Sequence, residues 1–183
     1  MNWLNTILVL GTAFMAVFWE TAFSGVRNVL GAQIDLLPPL MVYASLCTGP
    51  ATIGLLAVLG GLWFDSLSAN PFGVSVLPLF LVGLALHARR ELILRDQPFA
   101  QIVVGFAASA ATPMLTIMLL FTTGHTPLLG WGTIWQLFVM SAGGAVATPI
   151  VFVLFGWLQR MLVHGRATQS SFRADREIRR GRS

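Results

Sequence analysis

Apolar residues in this chain come in six long runs, and that patterning constrains the fold more than any other feature. An α-helix rises ~1.5 Å per residue, so crossing a ~30 Å hydrocarbon layer takes roughly 20 apolar residues. Runs near that length extend from Trp3 to Phe23, Ile34 to Cys47, Ala51 to Ser68, Gly73 to Arg89, Phe99 to Thr122 and Leu129 to Leu158. Hydrophobic residues make up 56% of the chain and charged residues only 10%, with a mean hydropathy of +0.78. A soluble domain is nearer a quarter charged. Lipid is therefore the expected solvent, and the predicted fold class is an all-α integral membrane protein of six transmembrane helices. Secreted disulfide modules, disordered tails and ordinary cytosolic enzymes are excluded. The second run is short and opens on Pro38 and Pro39, which predicts an irregular start that needs support from neighbouring helices.

No Lys or Arg precedes the first run, and it is longer than the apolar core of a secretory leader. It reads as an uncleaved span, with the mature chain beginning near Met1. Six spans place both termini and the loop after the fourth span on one side. That side then carries Arg89, Arg90, Arg95, Arg160, Arg166, Arg173, Arg176, Arg179, Arg180 and Arg182, against Arg27 alone on the other. Positive charge is retained in the cytoplasm, so both termini are expected there. The six Trp residues agree: Trp3 and Trp157 fall at the inner boundary, and Trp19, Trp63, Trp131 and Trp135 at or near the outer one. Residues 163–183 form a basic tail expected to be disordered, and with Arg89, Arg90, Arg160 and Arg166 it is expected to face anionic lipid headgroups. All 11 basic residues are Arg and they concentrate in that tail, which does not describe a nucleic-acid-binding domain.

Small residues in Gly105 to Ala111 and Ser141 to Ala147 predict close helix packing, while Pro78, Pro113 and Pro149 predict kinks in the last three spans. Cys47 is the only cysteine, and it is expected to be a buried free thiol. No metal-ligand cluster, phosphate-binding loop, dinucleotide fingerprint or nucleophile elbow occurs, so neither metal nor cofactor is expected. An intramembrane carboxylate pair is the one enzymatic idea left, and no motif supports it.

Three acidic residues belong to the spans, and an ionisable group there is a functional candidate. Glu20 ends the first span, Asp35 begins the second and Asp65 ends the third. They are expected to form a polar cluster near the outer surface. Arg27 is the one Arg able to pair with Glu20 or Asp35, and Asn70 and His125 lie in nearby loops. The alternative is that Glu20 and Asp35 are interfacial, with Asp35 capping a helix N-terminus. Asp65, Ser66, Ser68, Asn70, Pro71 and Gly73 make a tight polar connection, either a structural turn or part of a binding groove.

The segment Asp35-Leu36-Leu37 leading to Tyr43, the turn Thr48-Gly49-Pro50, and the spacing Gly61-x-x-x-Asp65-x-x-Ser68-x-x-Pro71-x-Gly73 resemble the bacterial rod shape-determining MreD family. The match at motif level covers about 50 residues, from Gln33 to Ala85, and the six-span pattern covers the chain. Ala69-Asn70 and the long Arg-rich tail depart from the family pattern. The resemblance implies a non-enzymatic subunit of the rod complex, bound to MreC through the membrane and through it to RodA, its penicillin-binding transpeptidase and MreB. It leaves a homodimer open. The family's fold is in turn similar to the S-components of energy-coupling-factor vitamin transporters, which implies a second reading as a substrate-binding subunit. In either, Asp65 and its loop, with Glu20, Arg27 and Asp35, would form a pocket or a partner socket.

Overall fold

The computed structural model of the chain describes residues 3–22, 31–68, 71–93, 97–124 and 130–167. It is helical, with no strand among the described residues: α1 Trp3–Ala22, α2 Leu37–Cys47, α3 Pro50–Leu67, α4 Val76–Ala88, α5 Pro98–Thr122 and α6 Trp131–Ala167. Residues Met1–Val151 form one compact unit and Phe152–Ser183 a second, helical as far as Ala167. Four helices are long and apolar enough to cross a membrane: α1, α3, α5 and the Trp131–Met161 part of α6.

The helix α2 organises the first unit. It packs against α1, α3, α4 and α5, and every residue from Leu37 to Leu46 is buried. A helix apolar on all faces belongs in an interior, so this 11-residue element is a core helix enclosed by longer ones. Its length of ~16 Å is half a hydrocarbon layer. The expected second span begins later than predicted, at Leu37, because Pro38 and Pro39 preset the first helical turn and the chain before them is irregular. α1 and α5 present large apolar side chains outward, among them Ile7, Phe14, Met15, Phe18, Phe106, Met114 and Met118. In water such faces are costly, whereas lipid tails solvate them.

Two further expectations change. Residues 73–75 belong to a turn, so α4 starts at Val76 and Pro78 falls in its first turn. There the missing N–H has no helical acceptor to lose, and a kink has no cause. Pro113 and Pro149 do lie inside helices. Helix α6 runs past Leu162 to Ala167, into the stretch assigned to the basic tail.

Small residues bring α5 and α6 together as expected. A Cβ on Gly105 would strike the Thr148 side chain and the Gly144 carbonyl, and one on Gly144 would strike the Ser109 side chain. Glycine on both helices lets the backbones touch, which in lipid supplies the van der Waals contact that a hydrophobic drive cannot. Gly83 does the same for α4, where a Cβ would meet Ile53 and Met41 at 2.7 Å. Thr6 and Thr52 share a buried hydroxyl bond of 2.9 Å between α1 and α3. At the same end of the unit the His87 ring nitrogen Nδ1 donates to the Ser45 carbonyl at 2.9 Å.

Candidate functional site

The opposite end carries the acidic residues. Helix α3 delivers Asp65 there with its side chain 2% exposed. Gly61 lies one turn earlier on the same face, and a Cβ on it would sit 2.9 Å from the Val76 Cα. The start of α4 therefore lies directly on α3, within reach of the Asp65 carboxylate. Asp65 Oδ2 accepts the N–H of Gly73 at 2.8 Å and of Ser75 at 3.1 Å, and Oδ1 accepts the Ser75 hydroxyl at 2.5 Å. Gly73 takes φ +90, a conformation that L side chains rarely adopt. The glycine-aspartate-glycine spacing thus acquires a physical reading: close approach, three-point clasp, left-handed turn. Ser66 Oγ donates to the Trp63 carbonyl at 2.8 Å, and Ser68 N–H and Oγ donate to the Asp65 carbonyl at 3.3 and 3.5 Å, closing the end of α3. Pro71 is exposed, and its carbonyl accepts the Val74 N–H at 3.3 Å within the same turn.

Glu20 and Asp35 meet at the start of α2. Glu20 Oε1 accepts the Leu36 N–H at 2.6 Å, and Asp35 Oδ1 accepts the Leu37 N–H at 2.9 Å. Leu36 occupies the N-cap position itself, so two carboxyl groups from outside the helix take successive amides at its positive end. Glu20 Oε2 is buried without a partner among the described residues. Asp35 is 6% exposed.

Asp35 and Ser75 join the two clusters by lining one cavity of about 230 Å³. Its walls come from the start of α2, the end of α3, the start of α4, Thr112 to Leu120 of α5 and Thr133 to Met140 of α6. Its α5 and α6 walls lie next along both helices to the Gly105–Gly144 contact. Pro113, on the cavity wall, has no N–H to donate to the Ser109 carbonyl.

The structure therefore brings Asp65 together with Gly73 and Ser75, and Glu20 with Asp35. Arg27, Asn70 and His125 lie outside the described residues. Arg89 and Arg90 are exposed in the turn after α4, Arg160 is exposed on α6, and Arg166 falls in its last turn. Cys47 is half-buried at the end of α2 and in no disulfide. Ser75, Thr112, Thr116 and Gln136 are site residues that the sequence reading missed. Ser75 follows the clasp glycine by two positions, and Thr112 and Thr116 share a helix face at i, i+4, which were the available signals. No group of three or more metal-ligating side chains occurs among the described residues.

No protein-family model, no curated protein and no solved structure matches the chain. What is established is, among the described residues, a helical chain with four helices long and apolar enough to cross a membrane and a buried acidic site at one end of its first unit.

Proposed function

We propose that this protein is a non-enzymatic, multi-pass subunit of the rod complex in the bacterial inner membrane. It would bind MreC and through it the machinery of lateral peptidoglycan synthesis. In this reading the chain crosses the membrane six times with both termini cytoplasmic, and the acidic end faces outward. The observation that supports it is the clasp on Asp65. Three residues that carry the resemblance, Gly61, Asp65 and Gly73, meet at one corner, Gly61 packed against Val76 and Asp65 bonded to Gly73 and Ser75. Asp65 is a positioning residue here. Its acceptors are consumed internally, so it sets the rim formed by Pro71 and Phe72, which is 70% exposed, and that rim meets the partner.

The test is affinity purification of the tagged chain from its native membrane with mass spectrometry of co-purifying proteins. Recovery of MreC and cell-wall synthases supports the proposal, and their absence from a monodisperse preparation overturns it. The cavity beside Asp35 favours the second reading, a vitamin-type substrate-binding subunit. That reading requires recovery of a transporter ATPase pair instead.

A further inference from the structure

The hydrogen-bond directions around the cavity decide what it can hold. Thr112 donates its hydroxyl proton to the Ala108 carbonyl at 2.9 Å and Thr116 to the Thr112 carbonyl at 3.0 Å. Ser75 donates its own to Asp65. A hydroxyl has one proton, so these three oxygens have only lone pairs left to offer the cavity. Asp35 adds a carboxyl group that is nine-tenths buried. Its Oδ1 is engaged by Leu37, and no other hydrogen bond to it arises among the described residues. No basic side chain among the described residues lines the space, and the rest of the wall is largely apolar, with Leu37, Phe64, Leu79, Ile117 and Leu137. Four acceptors, the Thr133 hydroxyl and Gln136 amide on α6, and hydrocarbon elsewhere fit a donor-rich cation on an apolar body.

We infer that this cavity is a binding site for a small amphipathic primary amine, its ammonium group held by Asp35, Ser75, Thr112 and Thr116. A primary ammonium has three N–H donors for these acceptors, whereas a quaternary ammonium has none. Phe64 lines the same space and adds an aromatic side chain to its wall. The volume of 230 Å³ admits a compact aromatic or branched amine and excludes a lipid. The inference is independent of the rod-complex reading: a chain that recovers MreC and binds no amine refutes it alone.

The experiment is equilibrium binding of radiolabelled 2-phenylethylammonium to the full chain in lipid nanodiscs, with empty nanodiscs as background. The expected result is saturable binding of one amine per chain. Asp35→Asn keeps the acceptor for the Leu37 amide while removing the charge, so it preserves the helix start and should weaken binding about tenfold or more. Met140→Trp, which fills the cavity without touching its acceptors, should abolish binding in a chain that elutes like the wild type. The N,N,N-trimethyl analogue and 2-phenylethanol should compete poorly. Binding no greater than in empty nanodiscs, or equal in wild type and Asp35→Asn, overturns the inference. So does binding that emerges only in Arg27→Gln, since the occupant is then the chain's own guanidinium.

Discussion

Asp65 and Ser75 are joined twice, through the serine hydroxyl to Oδ1 at 2.5 Å and through the serine N–H to Oδ2 at 3.1 Å. With the Gly73 amide on the same carboxylate, the end of α3 and the start of α4 become one rigid corner. This corner fixes which Ser75 lone pairs face the cavity, linking a turn in the chain to the chemistry of the site.

Replacing Asp65 by Ala leaves three donors without their acceptor, two of them on the buried Ser75. Losing bonds to a charged acceptor costs about 1.5–3 kcal/mol each and the losses are not additive. A net destabilisation of about 3 kcal/mol is expected, read as a lower thermal midpoint in detergent. Asp65→Asn keeps one carbonyl oxygen and should lose less. Equal stability of Asp65→Ala and wild type would remove the clasp from the account.

Gly73→Ala tests the turn separately. Its φ of +90 is strained for any side chain, although nothing lies within 4 Å of an added Cβ. The expected cost is therefore conformational, about 1–2 kcal/mol. Gly132→Ala is the control, because it sits in helix α6 with open space around it and should be neutral or slightly stabilising. Matching thermal midpoints for the two variants would contradict the argument.

At Gly144 the expected cost is steric. A Cβ there meets Ser109 across the α5–α6 contact, in a place with no room to yield. Gly144→Val should destabilise by about 1–3 kcal/mol or more through overpacking. Because the cavity lies beyond this contact, the variant should also alter access to Thr112 and Thr116. A cysteine at position 116 reports that access by its rate of alkylation in an otherwise cysteine-free chain, and an unchanged rate would separate the contact from the cavity.

Much of this architecture was legible in the residues. Run lengths gave α1, α3 and α5 nearly to the residue, since an apolar run of about 20 admits few other structures. The stripes at 105–111 and 141–147 indicated close contact, but nothing in them told which glycine meets which, because crossing registers depend on both surfaces at once. Asp65 and Gly73 stood out by spacing. Ser75 did not, because the helix start was placed before it, and its role depends on where α4 begins. Thr112 and Thr116 were silent for another reason. A helical threonine commonly bonds back to its own helix, so only the structure reveals that their remaining lone pairs share a cavity with Asp35.

The six-span proposal is tested most sharply at α4. Its 13 residues reach ~20 Å, short of a full hydrocarbon layer, so crossing depends on the residues flanking it and on tilt or local thinning. Phe72 and Leu92 bracket this helix, and both are highly exposed at 70% and 71%. In a chain with Cys47 replaced by Ala, Phe72→Cys should react with a membrane-impermeant thiol reagent applied outside intact cells. Leu92→Cys should react only after the membrane is opened, because it adjoins Arg89 and Arg90, which the charge asymmetry assigns to the cytoplasm. Trp131→Cys, at the start of α6 and 82% exposed, should behave like Phe72→Cys. Labelling of positions 72 and 92 from the same side would mean that α4 does not cross. The termini would then lie on opposite faces, and ten Arg against one would cease to describe this protein.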